Sequence, residues 1–182
     1  MSSLATTLVI GGARSGKSRY AENLVVESGA ERVYLATAAA GDDEMARRIA
    51  THRESRGQGW RTIEEQFDLP ALLAREARPG RAILVDCLTL WLTNLMLAEG
   101  AVGDASAELC GLLPNLPCPV VLVSNEVGMG LVPETPLGRR FRDAQGRLNQ
   151  AVAAAVPNVV FVAAGLPLTL KQSQGPAPGS PA

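Results

Sequence analysis

The chain has few cysteines, almost no net charge and no long apolar run, and each shortage excludes a class of protein. Its three cysteines, Cys87, Cys110 and Cys118, form no C-x-x-C pair. An odd number at this spacing indicates neither a disulfide framework nor a zinc site. The formal net charge is −1, which provides no basic field for nucleic acid or for a membrane surface. We therefore expect neither as a partner.

Membrane insertion and secretion are not indicated either. No apolar stretch reaches the length of a membrane-spanning helix. The first predicted strand begins near residue 6, which leaves no room for a leader peptide. We therefore expect a soluble, cytoplasmic protein.

The stretch from Leu8 to Ser18 is the most informative in the chain. It reads as an apolar strand, then G-x-x-x-x-G-K-S, then the start of a helix, which is the pattern and context of a phosphate-binding P-loop. In such a loop the backbone N–H groups face phosphate oxygens, Lys17 reaches the β- and γ-phosphates, and the Ser18 hydroxyl ligates Mg²⁺. The alternative is a chance glycine-rich turn. The predicted nucleotide-binding residues here are Gly11, Gly12, Ala13, Arg14, Ser15, Gly16, Lys17 and Ser18.

Strand and helix patterns alternate along the rest of the chain, which predicts a mostly parallel α/β sheet of the P-loop (RecA-like) class, with helices on both faces. Residues 1–171 are expected to form one nucleotide-binding catalytic domain, and 172–182, rich in Pro, Gly, Ser and Ala, a disordered tail. Predicted strands cover 6–10, 32–37, 60–64 (a possible edge strand), 82–86, 120–124, 159–163 and 168–170. Predicted helices cover 17–28, a stretch from Asp42 to the loop at Gly57, 68–77, 88–98, 105–113 and 137–155.

Asp86 ends a buried strand, and Thr89 lies just beyond it. In P-loop proteins a carboxylate at such a strand end shares the Mg²⁺ shell with the P-loop serine. The alternative is an aspartate that caps the following helix. We expect Ser18 and Asp86 to form the metal site.

His52 is the only histidine in the chain and has two interpretations. It shares a helical face with Met45 and Ile49, as a packed core histidine would. However, Arg48 and Arg56 lie four residues on either side, and their charges favour the neutral, nucleophilic imidazole. Such a histidine can attack an α-phosphate and carry a nucleotide covalently.

Asn125 and Glu126 follow a predicted strand and superficially match the N-K-x-D motif of switch GTPases. Glu126 replaces the lysine, and no aspartate follows at the required position. This counts against a nucleotide-dependent switch or binding module. The segment from Glu126 to Pro136 is rich in Gly and Pro and long enough to be functional.

Taken together, these motifs make the chain resemble the bifunctional adenosylcobinamide kinase / adenosylcobinamide-phosphate guanylyltransferase family. The resemblance covers residues 6–171. The block at 124–150 matches best, because NEVGMGxVPE followed by FRDxxGRxNQ is highly specific. The matching segments are GGARSGKSRYAE at 11–22, LAT at 35–37, DDEMARRI at 42–49 with His52 after it, WRTIEE at 60–65, ILVDCLT at 83–89 and SNEVGMGLVPETPLGRRFRDAQGRLNQ at 124–150.

The resemblance implies two reactions in cobalamin biosynthesis. A nucleoside triphosphate, ATP or GTP, phosphorylates the aminopropanol hydroxyl of adenosylcobinamide. GTP then donates GMP to that phosphate through a covalent guanylyl-histidine. The narrower alternative is a small-molecule kinase alone, with a structural His52.

The resemblance also implies a set of site residues and a homotrimer. His52, at the family's spacing after the DDEM segment, matches the guanylylated histidine, and Lys17 is the other catalytic residue. Glu64 is a candidate reader of guanine N–H groups. The motifs alone do not bring His52 to the P-loop, and a swing of the helix that carries it is one way for the two to meet. Beyond the P-loop, the implied nucleotide contacts are Thr37, Ala38, Ala39, Arg53, Glu54, Ser55, Arg56, Glu64 and Asp86.

Overall fold

Seven strands form one sheet in the computed structural model, which describes residues 4–38 and 57–172. Their order across the sheet is β3-β2-β4-β5-β1-β6-β7. The first six are parallel, and β7 pairs with β6 in antiparallel orientation. The strands are β1 (Thr7–Gly11), β2 (Glu31–Ala36), β3 (Trp60–Glu64), β4 (Arg81–Asp86), β5 (Val120–Asn125), β6 (Asn158–Ala163) and β7 (Leu166–Lys171).

The helices of the described residues connect these strands. Asp68 and Thr135 are N-caps whose side chains accept the Ala71 and Gly138 N–H groups, as short polar residues do at helix starts. The helices are α1 (Lys17–Glu27), α2 (Leu69–Glu76), α3 (Leu88–Leu97), α4 (Val102–Leu112) and α5 (Pro136–Ala155), with a 3₁₀ turn at Leu113–Asn115. None of these helices is both long enough and apolar enough to cross a bilayer.

The core has two layers, one on each face of the sheet. Successive residues of a strand point to opposite faces, so Leu8 and Val9 of β1 enter different clusters. The larger cluster contains the fully buried Trp91 of α3, whose indole N–H donates to the Phe67 carbonyl at 2.8 Å. The continuous apolar runs of the central strands are therefore explained by helices covering both faces.

The predicted α/β architecture is confirmed, including the edge position of Trp60–Glu64. Two elements, the helix predicted at 105–113 and the strand predicted at 168–170, begin earlier than predicted. α4 begins at Val102, three residues early, because the Ala101 N-cap makes no side-chain hydrogen bond that would mark the start in sequence. β7 includes Pro167, which an edge strand tolerates. The helix predicted from Asp42 and the tail from 173 onward lie outside the described residues.

Parallel strands bring their C-terminal residues to one edge of the sheet, here called the carboxyl edge. It contains Gly11 of β1, Ala36 of β2, Asp86 of β4 and Asn125 of β5. Gly11 is in register with Asn125, and Ala36 with Asp86. In open α/β sheets, ligands bind beyond this edge. The fold therefore brings together four segments that are far apart in sequence.

Candidate active site

The P-loop turns sharply between Gly11 at the end of β1 and Lys17 at the start of α1. Gly16, the N-cap of α1, has a φ of 92°, a left-handed conformation that suits glycine. The turn is braced from outside by Gly165, whose N–H donates to the Ser15 carbonyl at 2.8 Å. The start of α1 and its positive dipole end thus lie at the carboxyl edge, where they favour an anion.

Gly11 has no room for a side chain. A Cβ there would lie 2.5 Å from both the Ser15 Oγ and the Val162 carbonyl oxygen. The Ser15 hydroxyl is buried and has no hydrogen-bond partner within the described part of the chain. Close packing of backbone against backbone therefore requires glycine at position 11.

Lys17 points into this turn rather than into solvent. Its residue is only 9% exposed, and its Nζ donates to the Gly12 carbonyl at 3.1 Å. Burial lowers the pKa of Lys17, while nearby Cys87 and Asp86 oppose that shift. The Lys17 ammonium group is thus held against the P-loop backbone, near the Asp86 carboxylate.

Asp86 is positioned by neighbouring strands. Its Oδ2 accepts the Tyr34 hydroxyl at 3.2 Å, and the Asp86–Cys87 peptide bond is cis. The Cys87 peptide is tied to Thr37: the Thr37 hydroxyl donates to the Cys87 carbonyl at 2.7 Å and accepts the Cys87 N–H at 2.8 Å. Thr37 is fully buried, and its own carbonyl accepts from Asn94. Thr37 therefore joins the ends of β2 and β4.

Cys87 adjoins the site but is not a thiolate nucleophile. Burial is the main cause that raises its pKa to about 11, and the charge of Asp86 adds to the effect. A thiol with such a pKa stays protonated at neutral pH, and the thiolate is the reactive form. Burial also raises the pKa values of Cys110 and Cys118. Cysteine chemistry is thus not indicated for any of the three.

The segment 126–135, here called the β5–α5 loop, leaves the edge directly beside the P-loop. The Glu126 N–H donates to the Gly11 carbonyl at 3.1 Å. The Glu126 carboxylate turns back and accepts the N–H groups of Gly128, at 2.8 and 2.9 Å, and of Met129, at 3.3 Å. A Cβ on Gly128 would lie 2.9 Å from Glu126 Oε1. The start of this loop is therefore built around its own carboxylate.

A buried polar network connects the end of β5 to α5. The Ser124 hydroxyl donates to Asn149 Oδ1 at 2.6 Å, and Gln145 Nε2 donates to the Ser124 hydroxyl at 2.9 Å. Asn149 Nδ2 donates to the Asn125 carbonyl at 3.1 Å. Because buried side-chain amides with several partners order their surroundings, the network fixes where the β5–α5 loop begins.

The comparisons with known proteins agree with this geometry. The family model described as "Cobinamide kinase / cobinamide phosphate guanyltransferase" matches residues 7–170. The chain belongs to this family. The Pseudomonas aeruginosa protein named "Bifunctional adenosylcobalamin biosynthesis protein CobP" is 53% identical over 167 residues, covering 90% of this chain and 96% of the relative. The Escherichia coli protein named CobU is 42% identical over 179 residues, covering 90% and 98%.

Solved structures with little sequence similarity share the fold alone. A protein of Pyrococcus horikoshii OT3 superposes with a TM-score of 0.56 at 9% identity, covering 93% of this chain and 87% of that one. The flagellar accessory protein FlaH of Methanocaldococcus jannaschii gives a TM-score of 0.51 at 13% identity, covering 93% and 79%. The α/β P-loop sheet is thus shared more widely than the family.

The structure brings only some of the predicted site residues together. The P-loop residues, Thr37, Ala38 and Asp86 lie at or beside the carboxyl edge. Glu64 ends the parallel strand β3 at the same edge, in register with Ala36, and is exposed there, with β2 between β3 and β4. The remaining predicted residues, Ala39, His52, Arg53, Glu54, Ser55 and Arg56, lie outside the described residues.

Four residues near the site were not predicted as site residues, namely Tyr34, Glu126, Gln145 and Asn149. Tyr34 is hidden in an apolar strand, with no signal beyond its hydroxyl. Glu126, Gln145 and Asn149 belong to the block that best matches the family. The density of polar residues in that block was the available signal, but their partners depend on the packing of α5 against β5.

Proposed function

We propose that the chain phosphorylates the aminopropanol hydroxyl of adenosylcobinamide and then transfers GMP from GTP to the resulting phosphate, giving adenosylcobinamide-GDP. Membership of the family over residues 7–170 supports both reactions. The observation that carries the proposal within the structure is the convergence of the P-loop, Lys17 and Asp86 at the carboxyl edge.

For the kinase step, the substrate hydroxyl attacks the γ-phosphorus of ATP or GTP, and the nucleoside diphosphate leaves. The transferring phosphoryl group needs charge stabilisation and positioning more than covalent help. Lys17, which is buried, and the backbone N–H groups of residues 12–18 would provide both, because the loop already holds them in place.

Mg²⁺ belongs to this proposal through Ser18 and Asp86. A hydroxyl and a carboxylate are hard oxygen donors of the kind that this ion prefers. The Tyr34 hydroxyl holds one oxygen of Asp86, which orients the carboxylate. Ser18 and Asp86 would hold the ion, which would supply charge neutralisation at the phosphate oxygens.

For the transferase step, an imidazole nitrogen of His52 attacks the α-phosphorus of GTP. A bond from phosphorus to nitrogen forms, the bond to the bridging oxygen breaks, and pyrophosphate leaves. The substrate phosphate then displaces the histidine and takes the GMP. Resemblance supports this role, together with a swing of His52 towards the P-loop. The proposed nucleotide contacts beyond the P-loop are Thr37, Ala38, Ala39, Arg53, Glu54, Ser55, Arg56, Glu64 and Asp86.

A homotrimer in the cytoplasm completes the proposal. The exposed side chains of Leu166, Leu168 and Leu170 lie on edge strand β7, a surface of the kind that a second copy covers. The net charge of −1 favours a small-molecule substrate over nucleic acid.

The test is the covalent guanylyl-histidine. Purified protein is incubated with Mg²⁺ and GTP, and its intact mass is recorded before and after acid treatment. We expect an acid-labile gain of one GMP in the wild type and in Thr51→Ala, and none in His52→Ala. His52→Ala should still phosphorylate adenosylcobinamide. A wild type that phosphorylates the corrinoid but never gains GMP would show a kinase alone.

A further inference from the structure

The β5–α5 loop exposes apolar side chains in an unusual way. Of the large apolar side chains in the described residues, Leu131 is the most exposed, at 97%, followed by Met129 at 80%. Val132 in the same loop is 63% exposed. Single exposed apolar residues are common on protein surfaces, whereas several within four positions mark a surface that something covers.

Hydrogen bonds hold the backbone of the loop at both ends, although its apolar side chains are largely exposed. At its start, the Glu126 carboxylate accepts the N–H groups of Gly128 and Met129. At its end, the Arg139 guanidinium donates to the carbonyls of Pro133 and Glu134, at 3.0 and 2.8 Å. Polar contacts therefore fix a backbone whose apolar side chains face solvent, which is the arrangement of a preorganised binding loop.

The position of the loop identifies its occupant. The Glu126 N–H at its start donates a hydrogen bond to the Gly11 carbonyl of the P-loop, so the loop begins beside the phosphate site. The reactive hydroxyl of cobinamide ends a flexible side chain of the corrin ring. When that hydroxyl reaches the γ-phosphate, the ring itself must lie beside the phosphate site. A corrin ring is a broad hydrocarbon macrocycle with amide arms, and its faces complement an apolar surface.

We infer that Met129, Leu131 and Val132 of the β5–α5 loop form the binding surface for the corrin ring of the substrate. This inference rests on the proposed function. It assigns these side chains to substrate binding alone, since GTP and the histidine step need no corrinoid.

The test compares Leu131→Ser and the double variant Met129→Ser/Leu131→Ser with Leu97→Ser. Leu97 is a matched control, because it is 69% exposed at the far end of α3, a helix that begins at the carboxyl edge and runs away from it. Three quantities are measured on full-length protein: adenosylcobinamide binding by equilibrium dialysis, GMP gain from Mg²⁺ and GTP without corrinoid, and mass in solution by light scattering.

We expect the Kd for adenosylcobinamide to rise about tenfold in Leu131→Ser and further in the double variant, as loss of one buried leucine implies. Leu97→Ser should bind as the wild type does, and GMP gain and mass should stay unchanged in all variants. An unchanged Kd overturns the inference. A change in mass also overturns it and assigns the loop to a contact between copies.

The same measurements separate this inference from the proposed function. A wild type that binds the corrinoid through Leu131 but neither phosphorylates it nor gains GMP supports the binding surface and contradicts the proposed function. Phosphorylation with normal kinetics in every loop variant supports the function and overturns the binding surface. A wild type that binds no corrinoid overturns both.

Discussion

The P-loop and the β5–α5 loop follow neighbouring strands, β1 and β5, at the same edge of the sheet. They differ in which side chains they expose to solvent. In the P-loop, Lys17 is 9% exposed and Ser15 is buried. In the β5–α5 loop, Leu131 is 97% exposed. The first loop buries Ser15 and Lys17, whereas the second exposes its apolar side chains to solvent.

This difference in exposure follows from which group accepts hydrogen bonds from the inward-facing N–H groups of each turn. Successive N–H groups that point inward form an anion site. In the β5–α5 loop, the Glu126 carboxylate already occupies that position on the N–H groups of Gly128 and Met129. That turn is therefore closed to phosphate, and its side chains are left to make the contacts. Under the proposed function, the P-loop would bind the anionic part of the substrates and the adjacent β5–α5 loop the apolar part.

Removal of the Lys17 ammonium group should impair phosphorylation at the P-loop and leave corrinoid binding at the β5–α5 loop unchanged. We expect Lys17→Ala to lower the rate of corrinoid phosphorylation by about 10³-fold, because a preorganised, desolvated charge is lost. The Kd for adenosylcobinamide should change less than about twofold, since the apolar loop is untouched. Rates are measured with saturating nucleotide, and binding by equilibrium dialysis.

Arg19→Ala is the control for Lys17, because Arg19 is an exposed cation two residues further along α1. It should phosphorylate the corrinoid at the wild-type rate. Equal losses of rate and of corrinoid affinity in Lys17→Ala would contradict the division between the two loops.

A substitution that destabilises the protein at a site distant from both loops should leave the binding of both ligands unchanged. The Glu76 side chain of α2 is 8% exposed and pairs with Arg61 at 2.7 Å and with Arg81 at 3.2 Å. We expect Glu76→Gln to lower the free energy of unfolding at pH 7 by about 2 kcal/mol, because the change weakens the charged hydrogen bonds of a buried carboxylate to partly exposed arginines. Urea unfolding measures the loss. The Kd for adenosylcobinamide and the Kd for GTP should both be unchanged under conditions where the protein is folded.

The pH dependence of that loss has a defined sign. Burial alone would raise the pKa of Glu76, but its hydrogen bond and charge attraction with Arg61, and then those with Arg75, lower it below the ordinary value of 4.5. Its contribution to stability is therefore complete above that value and is lost as the pH falls through the lowered folded pKa. The gap between wild type and Glu76→Gln should narrow below pH 4.5. A constant gap would show that packing, not charge, is responsible.

The sequence predicted one of the two loops much better than the other. The P-loop is a local pattern: glycines, Lys17 and Ser18 stand at fixed spacing between a strand and a helix, and each serves the same ligand. The strand ending at Asp86 was also predicted from the sequence, because a carboxylate directly follows an apolar run. Alternating elements then placed both at one edge, since parallel strands end together.

The sequence identified the β5–α5 loop as a long segment rich in glycine and proline within the block that matches the family best, but predicted none of its contacts. Glu126 was compared with the N-K-x-D motif of switch GTPases, whereas its partners are backbone N–H groups two and three residues later. Gln145 and Asn149 meet Ser124 only after α5 packs over β5. Contacts of this kind depend on tertiary packing and on backbone geometry, which residue spacing does not encode.

The smallest expected effect concerns the buried hydroxyl of Ser15, which has no partner within the described residues. Removing a buried, unpartnered hydroxyl relieves its desolvation cost. Ser15→Ala should therefore leave the free energy of unfolding unchanged or raise it by up to about 1 kcal/mol without nucleotide. Ser28→Ala is the matched control and should lose about 1 kcal/mol, because the Ser28 hydroxyl donates to the Val25 carbonyl at 2.6 Å.

The nucleotide affinity of Ser15→Ala then tests how the P-loop holds phosphate. If backbone N–H groups and Lys17 make the contacts, the Kd for GTP should rise less than about threefold. A rise of tenfold or more would show that the Ser15 hydroxyl turns outward to the ligand. The P-loop would then be more like the β5–α5 loop, because a side chain, that of Ser15, would contact the ligand in addition to the backbone.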